Sequence, residues 1–202
     1  PLLSEPNLQQ QLVEIGYQGK KLEELEGLSA TEKTNMLFIV QDPYTSYYDA
    51  KVVRDFVALT QKLGFSPILL PFKPNGKAMH IKGFLARFSK TAKTQAEFLN
   101  RVAKLNVPLV GVDPAIVLSY RDEYKEALGD SRGDFHVLTA HEWLTNQLES
   151  NTLQSAVKNI TKSDRTFEWH LFPHCTESTF MPNSPKEWQH IFAQFGQTLN
   201  VE

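Results

Sequence analysis

The chain has one cysteine among its 202 residues, no glycine-rich phosphate loop and no long apolar run. A single thiol, Cys175, excludes a disulfide framework closed within the chain, and it fits a reducing, cytoplasmic setting. No stretch approaches the roughly 18 apolar residues of a membrane span, so no transmembrane segment is expected. No signal-peptide pattern opens the sequence. Neither the dinucleotide fingerprint, the P-loop nor a Gly-x-Ser-x-Gly elbow follows any apolar run. Charge of one sign is lacking too: the formal net charge is −2, so the overall field says little about partners. Aromatics are not interleaved with basic residues in the pattern that stacks single-stranded bases, and no nucleic-acid partner is expected.

What is present is a chain long enough for one large domain or two small ones. It opens on proline, and Leu199-Asn200-Val201-Glu202 reads as the entry to another strand. The chain therefore reads as a piece of something longer. Charge is uneven along it. Lys73, Lys77, Lys82, Arg87, Lys90, Lys93, Arg101 and Lys104 face one acid, Glu97, giving +7, whereas the remainder from Leu105 carries −6. A basic face beside an acidic remainder suits an anionic partner or a docking surface. The solvated face of one long helix is the alternative.

The periodicity changes along the chain. The acidic opening, to about Asn35, reads as two short helices, Leu8 to Ile15 and Lys20 to Leu28, broken by glycines. Met36 to Val40 is a continuous apolar run, as expected of a strand buried on both faces. Val52, Phe56, Leu59 and Leu63 recur at helical spacing before Gly64. Ile68 to Leu70 is a second strand. Leu85, Phe88, Ala92, Ala96, Leu99 and Val102 mark a long helix. Val107 to Val112, Phe135 to Leu138 and Trp169 to Phe172 read as further strands. Helices run through Tyr124, from the Thr139–Glu142 capping box, and from Pro185 to Phe195, the last with Ser184 as cap. This alternation defines an α/β fold: a mostly parallel, Rossmann-like sheet with helices on both faces, preceded by a short helical lead-in.

Open α/β sheets keep their chemistry at the carboxyl ends of the strands. Asp42, Asp113 and Cys175 fall at such ends, with Lys77 and His80 in the loop after the second strand. Carboxylate, imidazole and thiolate suit metal binding or acid–base work. The competing reading of each Asp-Pro pair is a strand terminator that bonds nearby amides. His170 reads as a structural histidine within its strand, and Glu177 as solvent-facing or helping to cap the turn. His174 and Cys175 are candidate metal ligands, although one thiolate and two imidazoles leave a coordination sphere incomplete. A metal-dependent hydrolase using Asp42, His174 and Cys175 is a further, minor reading.

Four segments together carry a resemblance. They are Asp42-Pro43-Tyr44-Thr45; Pro71 to Phe84, with Lys77, His80 and Lys82; Gly111-Val112-Asp113-Pro114 with Tyr120 to Tyr124; and Phe172-Pro173-His174-Cys175-Thr176-Glu177. From about Met36 onward the chain resembles the C-terminal, cysteine-rich (CCG-like) region of bacterial FAD-linked iron–sulfur oxidoreductases similar to D-2-hydroxyglutarate and D-lactate dehydrogenases. The resemblance implies a helical lead-in over 1–35, a first α/β half-repeat over 36–165 whose cysteine motif is degenerate, and the truncated start of a second half-repeat over 166–202. Asp42 stands where that pattern has its first cysteine, and Cys175 matches the opening cysteine of the second half.

The resemblance further implies FAD and a 4Fe-4S cluster in the parent protein but no cofactor in this piece, since such clusters ordinarily need four cysteines. The partners it implies are the rest of the parent chain and a small 2-hydroxy acid, with homo-oligomerisation left open. The location it implies is cytoplasmic, with peripheral association at the inner membrane as a variant. Lys77, His80, Lys82 and Arg121, with Asp42 and Asp113, become candidates to contact a substrate carboxylate or a neighbouring domain. The alternative function is a non-catalytic interaction domain that binds an acidic partner surface.

Overall fold

A computed structural model describes residues 2–150, 153, 157 and 167–202. The residues divide into two compact units, Pro1–Val137 and Leu138–Glu202. The half-repeat boundary expected at 165/166 lies outside the described residues.

The first unit opens with α1 (Leu8–Glu14), capped by Asn7 in a capping box with Gln10. The second expected lead-in helix is instead a 3-10 turn, Leu22–Leu25, followed by α2 (Ala30–Lys33). Gly27 interrupts the apolar pattern, and Ser29 starts a new capping box with Glu32. Leu25 is fully buried and anchors the segment.

Next come β1 (Met36–Val40), α3 (Pro43–Tyr47), α4 (Ala50–Lys62) and β2 (Ser66–Leu69). These are followed by α5 (Lys77–Ile81), α6 (Leu85–Ala103), β3 (Leu109–Gly111), α7 (Pro114–Arg121) and α8 (Glu123–Leu128). The first unit ends inside β4 (Val137–Thr139). The strand order is β2-β1-β3-β4, with β1 parallel to both β2 and β3. The chain thus crosses from one side of β1 to the other between β2 and β3, which creates a topological switch point beside β1.

All five residues of β1 are buried, as its unbroken apolar run requires. Met36, Phe38 and Val40 join Phe88, Ala92, Ala96, Leu99 and Val102 of α6 in one core cluster with Tyr120, Tyr124 and Val137. Strand alternation sends Leu37 and Ile39, both fully buried, to the opposite face. Two stripes are phased differently from the sequence expectation. In α4 the buried side is Ala50, Val53, Phe56, Val57 and Thr60, and Val52 is 38% exposed. Adjacent valines satisfy helical spacing equally, and only packing selects between them. Leu85 at the start of α6 is 59% exposed, because the stripe reaches the core only from Phe88 onward.

The second unit holds α9 (Ala140–Glu149), β5 (Glu168–Leu171), α10 (Cys175–Phe180), α11 (Ser184–Gln194) and β6 (Thr198–Val201). Thr139 and Glu142 form the expected capping box of α9. β5 and β6 form a separate two-stranded parallel sheet. Ser184 is not the cap of α11. Asn183 takes that place, and the Ser184 hydroxyl turns inward to donate to Glu177.

Candidate functional site

The rim at the carboxyl ends of β1 and β3 is built from the two Asp-Pro pairs. Asp42 caps α3: its Oδ1 accepts from the amides of Tyr44 (2.8 Å) and Thr45 (2.9 Å), and its Oδ2 accepts from the Thr45 hydroxyl. Asp113 caps α7, accepting from the amides of Ala115 (2.8 Å) and Ile116 (3.3 Å). Both carboxylates therefore act as helix caps. Burial pushes the Asp42 carboxyl above its ordinary value, and the nearby Asp113 adds to this, while the Thr45 and Tyr44 hydrogen bonds oppose it. Tyr120, buried below the same rim, has its phenol raised, mainly by burial.

The loop after β2 turns through Gly76, whose φ of +80° favours glycine. Asn75 is buried; its Oδ1 accepts from the Lys77 amide (2.9 Å) and its carbonyl from the Tyr124 hydroxyl (2.7 Å). That anchoring delivers Lys77 and His80 to Glu123. The Lys77 ammonium donates to Glu123 Oε1, and His80 Nδ1 lies 3.8 Å from the same oxygen. Glu123 was not singled out from the sequence. Its place in the Tyr120–Tyr124 segment was visible, but no local pattern pairs it with Lys77. Arg121 turns inward, donating from Nη2 to the carbonyl of Val137 (2.8 Å).

Lys82 is exposed at the end of α5, among side chains that make up a mixed patch. Ile81 (72% exposed), Phe84 (51%) and Leu85 (59%) stand in solvent beside Lys82, Arg87 and Lys90. The Arg87 guanidinium lies 5.7 Å from the centroid of the Phe84 ring. Exposed apolar groups edged by cations form a docking chemistry rather than a catalytic one.

In the second unit, His174 caps α10, its Nδ1 accepting from the Thr176 amide (3.2 Å), and Cys175 is exposed. Glu177, read as solvent-facing or helping to cap the turn, is instead buried, because α11 and α9 supply partners to it. Its Oε1 accepts from the Ser184 hydroxyl and the Trp188 indole (3.4 Å) and lies 3.4 Å from His141 Nδ1. His170, expected as a structural histidine within its strand, is half-exposed, and its Nδ1 lies 2.6 Å from Glu202 Oε1.

Among the described residues no three His, Cys, Asp or Glu side chains converge to hold a metal. The donor set does not fit a thiolate-ligated cluster, since the whole chain has one cysteine. Nor, among the described residues, does any strand lead into a glycine-rich phosphate loop that would fit a flavin nucleotide. Among the described residues no helix is long and apolar enough to cross a membrane.

The fold and rim define an open, mostly parallel α/β unit of Rossmann-like topology whose strand-end carboxylates serve as helix caps. No family model matches the chain, and no solved structure matches it. It is similar to proteins named D-2-hydroxyglutarate dehydrogenase. The Haemophilus influenzae protein is 81% identical over 202 residues, all of this chain and 20% of that protein. The Escherichia coli protein is 58% identical over 199 residues, 98% of this chain and 19% of its own length. The Pseudomonas putida protein is 33% identical over 202 residues, all of this chain and 19% of its own length. The chain thus spans about a fifth of the relatives it matches, and the resemblance to the D-2-hydroxyglutarate dehydrogenases is borne out along its whole length.

Proposed function

We propose that the chain is one module of a FAD- and 4Fe-4S-dependent oxidoreductase acting on a D-2-hydroxy acid of the D-2-hydroxyglutarate or D-lactate type. In this reading the module docks rather than carries the redox step. End-to-end similarity to a fifth of three proteins named D-2-hydroxyglutarate dehydrogenase supports the parent activity. The flavin and cluster ligands then come from outside this chain, and the module corresponds to a cysteine-rich region whose first-half thiols have been replaced. The parent is cytoplasmic, with contact at the inner membrane peripheral at most.

Two features favour docking over direct substrate contact. Glu123 already pairs with Lys77 and lies 3.8 Å from His80 Nδ1, so the Lys77 ammonium is not a free cation for a substrate carboxylate. Lys82 and Arg87, by contrast, edge an exposed apolar patch that suits an acidic surface of the parent. The same patch favours the second reading, an interaction domain for a separate acidic protein.

Turnover of D-2-hydroxyglutarate by the full-length protein tests this. Lys77→Ala and His80→Ala are expected to leave kcat/KM within about twofold. A loss of more than about tenfold with assembly intact would place these residues at the substrate instead. Lys82→Glu with Arg87→Glu is expected to weaken association of the module with the remainder of the protein, in a salt-dependent manner. No turnover of any D-2-hydroxy acid by the intact protein would refute the redox reading.

A further inference from the structure

Among the described residues the sheet of the second unit has two strands. β5 and β6 run parallel with Trp169 opposite Leu199 and Leu171 opposite Val201. Helix α11 packs against part of this apolar face, with the rings of Trp169 and Phe192 5.9 Å apart, and leaves Trp169 46% and Val201 38% exposed. The other face is polar: Asn200 Nδ2 donates to Glu168 Oε1 (2.7 Å), and His170 faces Glu202.

The Glu202 amide donates to the carbonyl of Leu171 (3.0 Å). Period-two alternation then turns the peptide groups of Trp169 and Leu171 toward β6, and those of Glu168 and His170 to the outer edge. Among the described residues β6 is the only strand paired with β5. Large apolar side chains in and beside β5 remain exposed, Phe167 55%, Trp169 46% and Phe172 77%.

Isolated two-stranded sheets are marginal in water, and parallel sheets are ordinarily wider and better covered. An open edge with unpaired N–H and C=O groups is a template for another strand. Proteins that keep such an edge free blunt it with short strands, charged residues, lysine above all, or proline; β5, Glu168-Trp169-His170-Leu171, is short and carries one charge, but its Glu168 is held by Asn200 and it has neither lysine nor proline.

We infer that the outer edge of β5 is a docking surface for a further strand of the longer polypeptide in which this chain is one module. The relatives are about five times its length, so the same molecule has ample chain to supply such a strand. Its effective concentration is then high, and pairing needs no separate encounter. Main-chain pairing with Glu168 and His170 supplies the register, and burial of Phe167 and Phe172 supplies apolar contact. The inference rests on the module reading proposed above.

Hydrogen exchange in the full-length protein tests it. The amides of Glu168 and His170, which cannot bond to β6, are expected to exchange at least about a hundredfold more slowly than an unstructured chain, at every protein concentration. His170→Pro removes one outward donor and is expected to release that protection, whereas His170→Ala, which removes only the pair with Glu202, is expected to keep it. Exchange at unstructured rates would overturn the inference. So would protection lost on dilution in step with dimer dissociation, because a second copy would then cover the edge. Turnover on the same preparations separates the two ideas. An active dehydrogenase with an open β5 edge sinks this inference alone, while a protected edge in a protein inactive on D-2-hydroxy acids sinks the dehydrogenase reading and leaves the edge docked.

Discussion

His141 Nδ1 lies 3.4 Å from Glu177 Oε1, with side chains only 2% and 9% exposed. The other ring nitrogen lies 3.3 Å from Glu187 Oε2, so one imidazole on α9 faces carboxylates on both α10 and α11. A buried carboxylate that loses a partner keeps its desolvation cost. His141→Ala is therefore expected to lower the unfolding free energy by about 2–4 kcal/mol. Urea unfolding of the chain checks this, and a loss under about 0.5 kcal/mol would mean that the imidazole does not hold these helices together.

Asp42 gives a pH prediction. Its folded carboxyl is raised above the ordinary value of 3.8, mainly by burial. The folded state then binds the proton more tightly than the unfolded state. Its contribution is fully present below the unfolded pKa and is lost as pH rises through the raised folded value. Asp42→Asn, which carries no charge, is expected to flatten that decline. Asp42→Ala, which also removes the cap, is expected to cost about 1–2 kcal/mol at acid pH and less as pH rises through the raised folded value. Thermal unfolding across the acid range distinguishes them.

Gly111 ends β3 under α7. A Cβ there would lie 2.4 Å from Val117 Cγ2. Gly111→Ala is expected to destabilise by about 1–3 kcal/mol through overpacking, measured as a lowered denaturant midpoint. Gly111→Ala with Val117→Ala is expected to regain part of that loss.

The Lys77–Glu123 pair is partly exposed, at 21% on each side chain. A double-mutant cycle of Lys77→Ala and Glu123→Gln is expected to give a coupling of about 0.5–1 kcal/mol, reduced in high salt. Zero coupling would remove the pair as an anchor of the loop after β2.

Cys175 is exposed at the start of α10. One thiol per chain is expected to react with a disulfide reagent without denaturant. Failure to react until the chain unfolds would contradict its exposure.

The sequence alone determined the alternation of elements, because strand and helix periodicities are local. Met36 to Val40 declared a doubly covered strand, Phe88 to Val102 a helical stripe, and Thr139–Glu142 a cap. It also fixed the shortage of thiols, which no folding can remedy. Local pattern misplaced two things, putting Val52 in the buried stripe where Val53 belongs and making Ser184 the cap of α11, and left one open, whether an Asp-Pro pair caps or reacts. Those depend on neighbours distant in sequence. The tertiary structure brought Glu123 to Lys77 and buried Glu177 beside His141, because a polar group enters a core only where partners from other elements arrive to meet it. Among the described residues it also left one edge of β5 without a partner strand, a property of strand pairing that no single segment encodes.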